Sequence, residues 1–276
     1  MTLELHADIN ECLVPYVLTF RGNEDYLNLD LDLDEEIVLL DVADEENAEF
    51  CAILNRSNQL AFGGPKDMGM PMWVMLDCAI LPTAMTGFML DSEDVPDDLW
   101  ELLDLDDDYE GWVPISEYCA ALSVQPGCVS GFSLHSHISR MGIATRTKSL
   151  ALAVLKATSQ VGVTQFTNPA IRVHAKFGPM EILLHRPSVH THATDSFVYR
   201  IELPPLETLE ELACETDEEF GVADRPDGVQ WSFDPADEKA HVRLRSHLSD
   251  GGRAWIVSPG WRGTTEGCEI DMILGE

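Results

Sequence analysis

The chain has 276 residues, 45% of them hydrophobic, and a formal net charge of −32. Its length and composition allow a buried core in one large or two modest domains, while the charge excludes general nucleic-acid binding, which needs Lys and Arg against phosphate. No run approaches the roughly 20 apolar residues of a membrane span. The start MTLELHADINECLVPYVLTF carries acids where a signal peptide carries Lys or Arg. Seven scattered cysteines form no CxxC pair, so the sequence predicts reduced thiols in a cytoplasmic protein.

In chain order, TLELH reads as a first strand and DINECLVPYVLTF as a helix with Asp8 near its cap. LNLDLDLDEE alternates with period two, which fits a strand with an acidic face or a solvated acidic loop. AEFCAILN and QLAFGG read as strands around the turn NRSN. MPMWVMLDCAILPTAMTGFML is apolar and broken by prolines, and DSEDVPDDLWELLDLDDDYEG is acidic with a short helix around Leu99–Leu103. VPISEYCAALSVQPG and CVSGFSLHSHI read as neighbouring strands around a Pro-Gly turn. After Gly142 the period changes: Ile143, Leu150, Ala151, Val154 and Thr158 share one helical stripe, which Gly162 is expected to end. VTQF follows as a strand, and NPAIRVHAKFG as a helix with Asn168 as cap, Pro169 in its first turn and Gly178 as its stop. MEILLHR is another strand. Beyond residue 195, SFVYRIEL, VQWSF, HVRLRSHL and AWIVSP read as strands, and PLETLEELACE as an acidic helix.

This order predicts a mixed α/β fold (an α+β mixed sheet), with a core over residues 1–190 carrying acidic insertions and a small C-terminal α+β unit over 195–276. The linker PSVHTHATD is short and lacks a Gly/Ser tract, so the second unit is expected to pack on the first.

The charge is uneven. Residues 111–200 hold eight Lys or Arg against three acids, Glu117, Glu181 and Asp195; this net +5 leaves −37 for the rest of the chain. A basic segment in an acidic protein attracts an anionic ligand that the remaining surface repels. A buried middle explains the missing acids, and the eight bases less well. At Ser139–Ala144 a strand end meets a helix start, where unpaired N–H groups and the helix dipole favour an anion and a glycine lets it approach. Arg140 and Arg146 add positive charge there. The stretch has neither GKS/GKT nor GxGxxG, which excludes a P-loop and disfavours a dinucleotide fold.

Taken together, SRMGIATRTKSLALAVLKA and QFTNPAIRVHAKFGPMEILLHRP resemble the GNAT N-acetyltransferase superfamily over residues 129–186, about a fifth of the chain. In that family a strand ends in an Arg/Gln-x-x-Gly-x-Gly/Ala loop that holds the acetyl-CoA pyrophosphate, followed by an Asn and a helix ending in Tyr-x-x-x-Gly-Phe. Gly142 and Ala144 match the loop's last two positions, Asn168 the asparagine, and Lys176 and Gly178 the helix end. Ser139 stands where Arg or Gln is expected, with Arg140 adjacent; His174 takes the tyrosine position, and Pro179 replaces the Phe.

The resemblance implies an acyltransferase using acetyl-CoA as co-substrate and an amine-bearing small molecule or protein as acceptor. Phe132, Ser133 and Leu134 would hold the thioester and pantetheine arm; Arg140, Met141, Gly142, Ile143, Ala144 and Thr145 would hold the pyrophosphate; Asn168 belongs to the same cofactor set. Glu117, the one carboxylate in the two preceding strands, is the candidate base, against the plainer reading of a surface glutamate. His174 is the candidate acid, against a core or capping histidine. His135 and His137 alternate on one face and are candidates for substrate contact or for the base, against the plainer reading of ordinary surface residues. His185, His190 and His192 have no Cys or acid at ligand spacing, so a polar linker rather than a metal site is expected. The rival reading is a non-catalytic GNAT-fold acidic protein that binds a basic protein or mimics DNA. No membrane contact is expected, and a homodimer is left open.

Overall fold

Pro15 decides against the first expected helix. A proline inside a helix removes a hydrogen bond and clashes with the preceding turn. In the computed structural model, which describes residues 7–63, 69–80, 83–138, 142–185, 195–214, 225–265 and 267–276, residues 7–12 form a 3₁₀ turn and Val14–Thr19 form strand β1. The expected strand at 2–6 lies outside the described residues. The chain continues through β2 (Val38–Asp41), α1 (Ala48–Phe62), α2 (Met72–Ile80), β3 (Thr83–Asp91), α3 (Asp97–Leu103), β4 (Trp112–Pro114), β5 (Ser116–Leu122), β6 (Cys128–Ser136) and α4 (Ile143–Val154). Then come β7 (Ser159–Gln165), α5 (Ile171–His174), β8 (Met180–His185), β9 (Ser196–Glu202), α6 (Leu206–Cys214), β10 (Val229–Phe233), α7 (Glu238–Ser249), β11 (Arg253–Gly263) and β12 (Cys268–Gly275). The class is mixed α/β, as the sequence predicts.

Packing divides the chain into Met1–Ala157 with Leu206–Asp217, and Thr158–Pro205 with Glu218–Glu276. Most of the expected linker, residues 187–194, lies outside the described residues. In the first unit the strand order is β6-β5-β3-β1-β2, with β4 also paired to β3. Only β1 and β2 run parallel among these pairs. Strand alternation sends Tyr16, Leu18, Met85, Met89 and Cys119 to one face, where they pack with Phe50, Cys51 and Leu54 of α1 and Met75 of α2. The opposite face presents Ser116 and Phe88 to Thr147 and Arg146 of α4. Helix α6 lies beside α4, joined by Ser149 Oγ donating to the Leu209 carbonyl at 2.7 Å.

Three further expectations are corrected here. Residues 48–62 are one helix, not two strands around a turn. Phe50, Ile53, Leu54, Ser57 and Asn58 are buried at helical spacing, and that face docks on the sheet. HVRLRSHL belongs to helix α7, which Asp237 caps by accepting from Lys239 N at 2.9 Å; its buried residues, His241 and Leu244, are three apart. Gly162 does not end α4. That helix stops at Val154, before Lys156 in a left-handed conformation. Gly162 instead lies in β7 opposite Tyr199, where a Cβ would press on the tyrosine hydroxyl. Residues 27–36 form a loop, the second of the two readings offered.

The second unit is an antiparallel sheet in the order β7-β9-β8-β11-β12-β10. Phe166, Phe197 and Phe233 form its aromatic core, with His185 and His241 packed against them.

Candidate functional site

Strand β6 carries one residue more than its partner. Cys119 opposes Ser133, but Ala120 opposes Gly131, so Phe132 is an extra residue in a β-bulge. A bulge interrupts the ladder and re-aims the strand. Phe132 is 60% exposed. Beyond it, Ser133, His135 and His137 alternate onto the sheet face shared with Glu117, towards α1.

There they form one polar cluster inside the first unit. Ser133 Oγ donates to Glu117 Oε1, and Asn58 Nδ2 donates to both carboxyl oxygens at 3.3 and 3.2 Å. Asn58 is itself oriented by Met70 N, which donates to its Oδ1 at 2.8 Å. His135 Nδ1 lies 3.9 Å from Glu117 Oε2. His135 Nε2 and His137 Nε2 both lie 2.7 Å from Ser57 Oγ. The Phe62 ring stands edge-on to His135 at 5.6 Å.

Burial sets the charge states. It pushes the Glu117 carboxyl up to about 7, against the smaller opposing pull of the Ser133 and Asn58 hydrogen bonds. It lowers His135 to about 3, helped by the neighbouring His137, and His137 to about 4. Near neutral pH both imidazoles are therefore uncharged, and the His135–Glu117 approach is not an ion pair. A carboxyl that changes charge near pH 7 is suited to accept a proton in that range.

The second candidate element is the start of α4. Gly142 adopts φ 71°, the left-handed conformation that favours glycine. The cap residue, Gly142, has no side chain to accept from the first amides and no acid lies in the first turn, so those amides present partial positive charge. Ser139, Arg140 and Met141 lie outside the described residues. Arg146 does not serve this end. Its Nε donates to the Ala213 carbonyl at 2.8 Å and its guanidinium covers the Phe88 ring at 4.5 Å, lining a 570 Å³ pocket with Glu11, Asp34 and Cys214. That commitment corrects the expectation that Arg146 adds charge at the turn.

The structure thus brings together Glu117, Ser133, His135 and His137, with Phe132 and Leu134 on the same strand. Asn168 and His174 belong to the second unit. Asn168 Oδ1 accepts from Ala170 N at 3.0 Å in a turn just ahead of α5, whose cap position is Ala170 rather than the expected Asn168. His174 is buried with its ring 5.3 Å from Tyr199, which fits the packing alternative. His135 and His137, the candidates for substrate contact, both turn to Ser57. Ser57 and Asn58 are missing from the sequence reading. Both fall in NRSN, a typical turn composition, yet they continue the 50, 53, 54 spacing of α1 and so share its core face. Among the described residues no group of three or more His, Cys, Asp or Glu is placed to hold a metal, and no helix is long and apolar enough to cross a membrane.

No protein-family model and no curated protein matches the sequence. Among solved structures, the chain is similar to a protein of the NatC complex bound to Gag peptide and CoA, at 12% identity over 58% of this chain and 95% of that one, with a TM-score of 0.40. It is also similar to a tandem GNAT protein from the clavulanic acid biosynthesis pathway, at 14% identity over 78% of this chain and 66% of that one, with a TM-score of 0.31.

Proposed function

We propose that this chain is an acyltransferase that moves an acetyl or acyl group from acyl-CoA to an amine. The observation that carries the reading is Glu117: a buried carboxyl, poised near neutral pH, directly behind the bulge in β6. The bulge at Phe132 interrupts the β5–β6 ladder and would offer its backbone groups to the thioester and pantetheine arm, and the amides of Gly142–Ala144 suit the pyrophosphate. Acyl-CoA supplies the activated acyl group. The amine nitrogen bonds to the thioester carbon, the C–S bond breaks, and the proton shed by nitrogen passes to Glu117. Because the carboxyl is fully buried, that proton arrives through an intervening hydroxyl or water, the indirect form of base catalysis. The acidic surface, part of a net charge of −32, favours a cationic acceptor, including a basic protein.

The same complete burial of Glu117 favours a second reading, a non-catalytic acidic module in which the cluster only holds β5 and β6 to α1. Calorimetry with acetyl-CoA separates the two: the acyltransferase binds it, and absence of binding at millimolar ligand leaves the module. Ala144→Glu locates the site. Glutamate in the first turn suits the helix dipole, so the variant is expected to fold at least as stably as the parent, yet lose CoA binding because its carboxylate occupies the phosphate path. Unchanged CoA affinity in Ala144→Glu would move the pyrophosphate elsewhere.

A further inference from the structure

The cluster around Glu117 is joined through one hydroxyl. Ser57 Oγ stands 2.7 Å from Nε2 of His135 and 2.7 Å from Nε2 of His137. A hydroxyl has one proton, so it donates to one ring and accepts from an N–H of the other. With both rings neutral, the two histidines hold opposite tautomers. The remaining nitrogen of His135, Nδ1, is buried with no hydrogen-bond partner among the described residues and faces Glu117 Oε2 at 3.9 Å. Two arrangements satisfy these atoms. With Glu117 ionised, His135 turns an Nδ1–H to the carboxylate, accepts from Ser57 at Nε2, and His137 donates its Nε2–H to Ser57. With Glu117 protonated, every proton sits one place further on: His135 offers a lone pair at Nδ1, donates at Nε2, and Ser57 donates to His137.

We propose that Glu117, His135, Ser57 and His137 form a proton relay that returns Glu117 to its ionised form by exchanging the two imidazole tautomers. The carboxyl closes on His135 and gives its proton to Nδ1. His135 Nε2–H passes to Ser57 Oγ, the Ser57 proton passes to His137 Nε2, and His137 releases its Nδ1 proton to water. One proton enters, one leaves, and no group remains charged except the regenerated carboxylate; the pass leaves the rings in the first arrangement, so before the next turnover both return to the second by exchanging protons with water. Ser57, His135 and His137 are positioning residues, since the proton reaches them only from Glu117. The other groups around the carboxyl do not compete. Tyr16 on β1 is held neutral by burial, Asn58 and Ser133 are neutral donors, and the Cys51 thiol is pushed up to about 11. The inference rests on the acyl-transfer reading for the source of the proton; the tautomer exchange itself does not.

Two-bond ¹H–¹⁵N correlation spectra of the labelled full chain read the tautomers directly. Across the Glu117 titration, followed by its carboxyl ¹³C shift, both histidines are expected to stay neutral and exchange tautomers with the same midpoint. Glu117→Gln should hold His135 in the Nε2–H form at every pH, because the amide N–H₂ mimics the protonated acid. Ser57→Ala should uncouple His137 from that titration. Tautomers that stay fixed while Glu117 titrates overturn the relay. In turnover with acetyl-CoA, Ser57→Ala should lower kcat at least about tenfold with unchanged KM, and make a curved proton inventory linear. Full kcat with an unchanged isotope effect in Ser57→Ala overturns the relay and leaves acyl transfer standing. Tautomer exchange in a protein that does not turn over acyl-CoA overturns the acyl-transfer reading and leaves the network standing.

Discussion

Glu117 carries a consequence for stability that can be separated from catalysis. Its carboxyl is raised from an ordinary 4.5 to about 7 by burial, so between those values the folded chain holds a proton that the unfolded chain has lost. Its contribution is fully present below pH 4.5 and is lost as pH rises through about 7, a change of about 3 kcal/mol. His135 and His137 act in the opposite sense. Lowered from 6.5 to about 3 and about 4, they remain neutral in the fold and lose stability as pH falls below 6.5. Glu117→Gln removes only the first effect. Urea denaturation of both proteins at pH 4.5 and pH 8 is expected to show the difference between them moving about 3 kcal/mol in favour of the variant. A constant difference would mean that Glu117 is not burdened by burial. In the proposed acyl transfer the sign is reversed: Glu117 as base works only when ionised, so activity should fall below about pH 7. Glu117→Gln should lose roughly 10²-fold or more in kcat, together with that limb of the profile.

At the scale of the element, the β1–β3–β5 contact leaves little freedom. Gly87 on β3 pairs with Tyr16 on β1, and the Tyr16 hydroxyl crosses it to donate to the Ser116 carbonyl at 2.9 Å. A Cβ at position 87 would collide with that carbonyl oxygen and come within 2.8 Å of the Tyr16 ring. Gly87→Ala is therefore expected to destabilise by about 2–4 kcal/mol, combining overpacking with a broken buried hydrogen bond. The urea midpoint measures it, and a loss under about 1 kcal/mol would show that Tyr16 can give way. This contact lies one pair of strands from the candidate site. Moving Ser116 also moves its neighbour Glu117, so CoA turnover should fall with stability in this variant.

Over the whole molecule, the net charge of −32 makes self-repulsion a term in stability. Several acids in residues 24–49 and 91–110 are exposed, and few bases lie near them in sequence. Exposed charges repel within a Debye length, which falls from about 30 Å at 0.01 M salt to about 8 Å at 0.15 M. The melting temperature is expected to rise by several degrees between these concentrations and to flatten above about 0.5 M. A melting temperature independent of salt would mean that local pairing already neutralises the acids.

The sequence by itself determined the features written in consecutive residues. The change of period after Gly142, the neighbouring strands at 116–122 and 128–136 and the short helix near Leu99 were all legible there, because spacing and turn chemistry act locally; Glu117 was singled out only by what the family resemblance implies. Where a segment was apolar but short, local pattern had no unique solution. Val14–Thr19 became a strand because β2 and β3 flank it and Pro15 forbids a helix; residues 48–62 became a helix because that spacing buries Phe50, Cys51, Ile53, Leu54, Ser57 and Asn58 along one side. The candidate site depended on tertiary structure almost entirely. Ser57 stands 78 and 80 residues before the histidines it joins, and their meeting requires three things at once: the docking of α1, the register of β5 on β6, and the extra residue at Phe132. Burial then fixed the chemistry, since a carboxyl and two imidazoles acquire their charge states from the water removed around them.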